Sequence, residues 1–259
     1  MKKEISCIYG PVSSWRLGRS LGIDLLGGGP KVCSFDCCYC QLGPRKGYSL
    51  KRRVYVPTKK VVSELLALPQ TPIDFITFSG CGEPTLAKNL GRAIRAVKRL
   101  RPEPVAVLTN SGLLAQRQVR RELMLADLVA LKLDADSEEI FRLVNRPAKA
   151  LKLKEIIRGI KRFRREYSGT LALQIMFTEK NKSRAKQIAR LARQLNPDWV
   201  QIGTPTRGSG CGTLTRGQLL QIKRHFKGLA VICLYDVRRK KVQPLNLEQT
   251  LMRRPRRRG

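Results

Sequence analysis

Short apolar runs rich in Val, Ile, Leu and Phe recur along the chain. Each ends in a polar or glycine-bearing turn and is followed by a longer, charged stretch with helical spacing. The runs predict strands over 20–26 (SLGIDLL), 73–80 (IDFITFSG), 104–110 (PVAVLTN), 126–134 (ADLVALKLD), 170–177 (TLALQIMF), 198–204 (DWVQIGT) and 229–235 (LAVICLY). Between them, helical patterns occupy 57–68, 89–101, 116–126, 151–167, 183–195 and 215–226. In 151–167, Ile156, Ile157, Ile160 and Phe163 form one apolar stripe while Lys154, Arg158, Lys161 and Arg165 face away. Such alternation implies a parallel sheet with right-handed crossovers, either a closed or partial barrel or a doubly wound sheet. Both architectures carry their chemistry at the carboxyl ends of the strands. At those ends stand a cysteine loop, GCGEP (80–84), TNS (109–111), KLDA (132–135), Gln174 with Met176, and GTPTRG (203–208).

No repeat or long linker divides the 259 residues, so residues 1–235 are expected to form one α/β core. Residues 236–259 end in RRPRRRG, too polar to fold alone, and are expected to be a flexible basic extension. No run approaches the roughly 18 apolar residues of a membrane span, and no apolar signal segment follows the basic N-terminus. The expectation is a soluble cytoplasmic protein without a membrane span, in a compartment where clustered thiols bind metal or act catalytically rather than form disulfides. A single histidine, His225, excludes chemistry that needs a histidine pair.

Four of the eight cysteines lie in VCSFDCCYCQLG, 32–43. Cys33, Cys37 and Cys40 have the spacing CxxxCxxC, and Cys38 is an extra thiol. Structural zinc wants four ligands, usually two knuckles, and no second knuckle exists. A redox pair of Cys37 and Cys40 leaves Cys33 without a role. Three soft thiolates suit three irons of a 4Fe-4S cube whose fourth iron stays open. The spacing ranks these uses without deciding among them.

CxxxCxΦC with an aromatic at Φ, here Tyr39, resembles the signature of radical S-adenosylmethionine (radical SAM) enzymes. FSGCGEPTL (78–86) is similar to that family's GGEP-type loop. The resemblance implies a partial (β/α)6 TIM-like barrel and a 4Fe-4S cluster on Cys33, Cys37 and Cys40. It also implies S-adenosylmethionine chelated by the open iron, and an electron from a flavodoxin- or ferredoxin-like donor that yields a 5'-deoxyadenosyl radical. Glu83 inherits contact with the methionine ammonium, and Gly80 and Gly82 permit close backbone approach. Lys132 and Asp134 resemble the polar pair that meets ribose or carboxylate, with a salt-bridged interior as the alternative. Asn110 and Ser111 either touch the cofactor or cap a helix. Gln174 and Met176 point inward, and Thr204 and Thr206 resemble the segment near adenine. The blocks from YGPVSSWRLGRSLGIDLL through LTNSGLL and FRLVNRP resemble a subfamily labelled iron-sulfur oxidoreductases, grouped with tRNA wyosine-type synthases. Unlike those synthases, this chain has only Cys7 ahead of Cys33, so no auxiliary cluster is expected. Cys81 reads as a small buried side chain and Cys211 as a surface-loop thiol.

The 52 Lys and Arg against 19 Asp and Glu give a net charge of +33, a field that attracts polyanions. Residues 45–60 hold Arg45, Lys46, Lys51, Arg52, Arg53, Lys59 and Lys60 with Tyr48 and Tyr55 and no acid, directly after the cysteine loop. Residues 180–193 form a second acid-free block. RNA is the expected polyanionic partner. The rival readings are a glycyl-radical protein activase and a nonenzymatic, metal-stabilised nucleic-acid-binding protein.

Overall fold

The computed structural model describes residues 5–44, 47–207 and 211–255. One sheet takes eight strands in chain order: β1 (Ile8–Ser14), β2 (Gly18–Ile23), β3 (Phe75–Phe78), β4 (Val105–Thr109), β5 (Leu128–Lys132), β6 (Thr170–Met176), β7 (Trp199–Gly203) and β8 (Val231–Cys233). β1 and β2 form an antiparallel hairpin, and every later neighbouring pair is parallel. The crossovers carry α1 (Thr58–Leu66), α2 (Leu90–Leu100), α3 (Arg117–Leu123), α4 (Glu138–Val144) with α5 (Leu153–Glu166), α6 (Ala185–Leu195) and α7 (Arg216–Arg224). These six strand-to-helix units give the expected partial barrel, curled rather than closed.

Alternation within each strand decides what the barrel contains. Val105, Val107, Val129, Leu131, Leu171 and Leu173 face outward and pack with the helix residues Ile94, Val97 and Ile160. The opposite face carries Ala106, Ala130 and Ala172, which share a smaller cluster with Leu17 and Leu128. Register brings Lys132, Gln174 and Gln201 side by side on three neighbouring strands. Bulky side chains therefore hold the sheet to the helices, while small and polar ones leave room inside.

Three elements differ from the sequence expectation. β1 carries Gly10 and Pro11 mid-strand, a turn signal that hides a strand, but at a sheet edge proline forfeits no ladder bond. Its pairing with β2 shifts register between Tyr9 and Val12. α4 is two turns long and buries only Phe141 and Val144, too little apolar periodicity to read. The third difference corrects the expectation of a flexible tail for residues 236–255, while 256–259 lie outside the described residues. Leu247–Arg253 form α8, and the segment before it runs along β1 as a strap. Ser13 Oγ donates to Lys240 O at 2.6 Å, Leu245 N to Gly10 O at 2.7 Å, and Gly10 N to Thr250 Oγ1 at 3.0 Å. Arg253 is almost wholly buried and pairs with Asp24 at 3.0 Å. Polarity of the tail misleads because one of its cations, Arg253, finds a buried partner far away in sequence.

Candidate cluster and cofactor site

The loop after β2 is held on two sides. Toward the GCGEP loop, Val32 N donates to Cys81 O and Glu83 N to Val32 O, both at 2.9 Å. That contact explains the glycines. A Cβ on Gly82 would lie 1.7 Å from Val32 O, and one on Gly80 would lie 2.3 Å from the Asp24 carboxyl carbon; both residues have φ values above +150°. Gly82 thus closes on the cysteine loop and Gly80 on Asp24 at the end of β2. Toward the turn after α4, Cys38 N donates to Val144 O at 2.8 Å, Asp36 N to Arg146 O at 2.9 Å, and Ala148 N to Ser34 O at 2.9 Å.

This bracing sets Cys33, Cys37 and Cys40 along a cavity of about 220 Å³ that also opens on Glu83, Asn110 and Lys132. Burial, with Glu83 and Cys37 adding, pushes the Cys33 thiol up to about 12; burial likewise raises Cys37 to about 11. Such thiols stay protonated near neutrality unless a cation holds them as thiolates. Three N–H groups already face the sulfurs: Phe35 N and Asn110 Nδ2 donate to Cys33 Sγ at 3.4 and 3.5 Å, and Asn145 Nδ2 donates to Cys37 Sγ at 3.6 Å. Among the described residues, no three His, Cys, Asp or Glu side chains already stand in a metal-holding array. The donor set nevertheless fits an iron-sulfur cluster, being all thiol, on one loop, and supplied with the N–H···S bonds that tune such clusters.

Glu83 is buried and closely surrounded. Its Oε1 accepts from Thr85 N (3.0 Å), Thr85 Oγ1 (2.7 Å) and Thr109 Oγ1 (2.6 Å), and its Oε2 from Asn110 N (2.6 Å). Oε2 therefore keeps the greater free acceptor capacity. Asn110 caps no helix, since α3 begins at Arg117; it ties Cys33 and Ser34 to Glu83. Asp134 accepts from the Tyr39 hydroxyl, from Asn145 Nδ2 at 2.6 Å and from Met176 N at 2.7 Å. It thus positions Tyr39 and, through Asn145, Cys37. Lys132 donates to Gln174 Oε1 at 2.5 Å, sits 3.8 Å from Asp134, and lies over the Tyr39 ring. Thr204 accepts from Leu214 N at 2.9 Å and lines a second, larger cavity.

Cys38, the extra thiol, forms a disulfide with Cys211, 173 residues away, with Cα atoms 6.0 Å apart. This corrects both the expectation of no disulfide and the reading of Cys211 as a surface thiol, for Cys211 is buried against Tyr39 and Val144. Neither spacing nor composition signals the pairing; the packing of Cys211 against Tyr39 and Val144 brings it about. Cys81 is buried, as expected.

The second cavity, about 290 Å³, shares Cys40, Lys132 and Gln174 with the first and continues into the barrel. Arg16, Arg207, Arg239 and Arg254 line it; no spacing marks them as a group, because they come from separate segments. Of the basic block, Arg45 and Lys46 lie outside the described residues. Arg52 pairs with Glu122 and Lys60 with Glu64, while Lys51, Arg53 and Lys59 are exposed. In the second block, Lys182 pairs with Glu179 and Arg184 with Asp136. Among the described residues, no helix is long and apolar enough to cross a membrane.

A half-barrel whose CxxxCxYC loop shares a cavity with a buried glutamate after the next strand defines a class, and the family model described as Radical SAM superfamily matches residues 30–192. The chain belongs to the radical SAM superfamily and, more narrowly, to the UPF0026 proteins. A UPF0026 protein of Synechocystis sp. is 41% identical over 208 residues, covering 80% of this chain and 78% of that protein. One of Methanocaldococcus jannaschii is 38% identical, covering 77% and 63%. A Brachyspira hyodysenteriae protein named GTPase Obg is 36% identical over 87% of this chain, which spans 34% of its length. Among solved structures, a radical SAM methyltransferase from Sphaerobacter thermophilus (TM-score 0.65, 15% identity, 83% of this chain and 65% of that one) shares the fold. So does TYW1 with a lysine-pyruvate adduct (0.64, 14%, 82% and 74%).

Proposed function

We propose that this protein is an enzyme that cleaves S-adenosylmethionine reductively and directs the resulting radical at a substrate held in the barrel. The observation that carries this reading is the shared cavity of Cys33, Cys37, Cys40 and Glu83, continuous through Cys40 and Lys132 with a hollow barrel interior. When bound on the three cysteines, a 4Fe-4S cluster supplies the electron, received from a flavodoxin- or ferredoxin-like donor, that splits S-adenosylmethionine into methionine and a hydrogen-abstracting 5'-deoxyadenosyl radical. The chain's own residues bind and orient. Glu83 Oε2 accepts from the methionine ammonium, and its burial strengthens that bond. Lys132, held by Gln174, offers a cation to the carboxylate or ribose. Asn110 and Asn145 direct N–H groups at the cluster sulfurs, and Asp134 keeps Tyr39 against the loop. Gly82 lets the cysteine and GCGEP loops close on one another, Gly80 lets the GCGEP loop close on Asp24, and Thr204 fixes the β7–α7 loop beside the adenosine end. Alanines inside the barrel leave space for substrate and the helix layer excludes water.

For the partner we infer RNA, supported by the +33 charge and by the exposed Lys51, Arg53 and Lys59 in the segment that follows the cysteine loop. Anaerobic reconstitution tests the chemistry. A brown protein that, once reduced, turns S-adenosylmethionine into 5'-deoxyadenosine is expected; a colourless protein with stoichiometric zinc and no cleavage overturns the reading. RNA retention on filters is expected to fall by orders of magnitude between roughly 50 and 200 mM salt. Salt-insensitive or absent retention removes the RNA assignment.

A further inference from the structure

One end of the barrel cavity gathers cations. Its lining carries Arg16, Arg207, Arg239, Arg253, Arg254 and Lys132 and, among the described residues, no aspartate or glutamate. Three of these cations are already engaged: Arg253 with Asp24, Lys132 with Gln174 and, more distantly, Asp134, and Arg207 with Gln41 Oε1 at 2.8 Å. The Arg16 guanidinium lies over the Trp15 ring. Arg16 sits on the β1–β2 turn, half-buried, and its Nε is inaccessible to solvent and meets no acceptor. Burial first, and then the like charges of Arg254, Arg207 and Arg239, bring its pKa down to about 10 against an opposing effect of Tyr9. Arg254 is lowered as well, by burial and by Arg239, with Tyr9 again opposing.

Buried donors are almost always satisfied, and gathered like charges destabilise a fold unless something compensates them. Arg239 and Arg254 reach the cavity from the strap and the end of α8, Arg16 from the hairpin it runs along; the closure that completes the barrel is thus what gathers the arginines. Arg239 and Arg254 line only the larger cavity, which separates them from the carboxylate of S-adenosylmethionine, while Arg16 lines both cavities and stands where they meet. Guanidinium forks match the oxygens of a phosphate in pairs, and a phosphate monoester carries close to two negative charges at neutral pH.

We propose that Arg16, Arg239 and Arg254 form a phosphate subsite, so that the substrate is a phosphate ester anchored at this end with its reacting carbon toward Cys40 and Lys132. The proposal rests on the radical SAM reading for the word substrate, and on the arginines alone for the subsite. The phosphate can belong to a nucleotide-sized monoester or to an RNA strand.

The test is calorimetric titration of inorganic phosphate into the reconstituted full chain with saturating S-adenosylmethionine under argon. Saturable binding of one phosphate per chain is expected, weakened at least tenfold by Arg239→Gln and by Arg254→Gln and unchanged by Lys154→Gln on the outer face of α5. Arg239 is exposed, so its variant keeps the fold even if Arg254→Gln does not. Displacement of the phosphate by a nucleoside 5'-monophosphate identifies a small substrate; displacement only by a single-stranded oligoribonucleotide identifies RNA. Uptake that never saturates, that ignores Arg239→Gln, or that acetate matches would overturn the subsite. Release of 5'-deoxyadenosine by the unsubstituted protein is read separately, so phosphate binding without cleavage condemns the enzymatic reading and cleavage without phosphate binding condemns the subsite.

Discussion

Cys38 lies between two cysteines of the CxxxCxxC spacing yet has a different partner. Cys33, Cys37 and Cys40 face the smaller cavity, and Cys38 is turned through the loop toward Cys211. Cys40 N donates to Cys37 O at 2.9 Å, and this turn sends Cys38 away from the cavity that Cys37 and Cys40 line. Cys37→Ala is expected to abolish the brown colour and the bound iron after reconstitution, while Cys38→Ala keeps both. Thiol titration of the denatured, unreduced, iron-free protein gives an independent reading. The six free cysteines of the parent become seven in Cys38→Ala, because Cys211 is released. Loss of iron in both variants, or a count that does not rise, would contradict the division of labour. Glu83 shows the same economy of placement. Four donors from Thr85, Thr109 and Asn110 fix its carboxylate, so its role depends on residues of two strand ends rather than on the GGEP-type motif alone.

At the scale of elements, α8 ties the end of the chain to the start of the cysteine loop. Asp24 accepts from Leu26 N, Cys81 N and Arg253 Nε, with side-chain exposure of 1% for the aspartate and none for the arginine. Removing one member of so dry a pair leaves a buried charge uncompensated. Arg253→Met is therefore expected to cost about 3–5 kcal/mol in urea denaturation. In an Asp24→Asn background the same substitution is expected to cost much less, and equal costs would show that Arg253 acts through packing alone. This contact also shows where legibility ended. The seven parallel strands and six of the helices were readable because each buries a periodic face, and Cys33, Cys37, Cys40 and Glu83, which line one cavity, stood out as local motifs. β1, α4 and α8 have little apolar periodicity of their own and exist through long-range partners: β2, the cysteine loop and Asp24. Asn145 stood inside the quoted FRLVNRP block, but its contact with Tyr39 and Cys37 follows from α4, which the pattern did not reveal. Arg16, Arg239 and Arg254 belong to three separate segments, so only the closed fold makes them one feature.

At the scale of the whole molecule, an open sheet of eight strands has two edges, at β1 and β8, and the strap runs from one to the other. An uncovered edge exposes unpaired backbone groups and, here, would open the barrel interior to water. Asp74, just ahead of β3, fastens both sides of this closure. It accepts from Arg19 N at 2.7 Å, pairs with the Arg19 guanidinium at 2.8 Å, and pairs with Lys240 of the strap at 2.9 Å. The Arg19 hydrogen bonds, against some opposing desolvation and with help from Lys240, hold its carboxyl well below the ordinary value of 3.8. A carboxylate whose folded pKa is depressed lends stability above its unfolded pKa and loses it as pH falls. The pairs are partly solvated, so Asp74→Asn is expected to lower stability by only about 1 kcal/mol at pH 7. The gap between parent and variant should close as pH drops below about 4 toward the folded pKa, since the parent then loses the same charge. Trypsin supplies the local reading, because Arg238, Arg239, Lys240 and Lys241 offer cleavage points within the strap. Asp74→Asn should be cut there faster than the parent at neutral pH, and should bind phosphate more weakly, since Arg239 adjoins Lys240 and enters the cavity only while the strap is fastened. Equal cutting rates with unequal stability would place the effect of Asp74 in the β1–β2 hairpin instead of the closure.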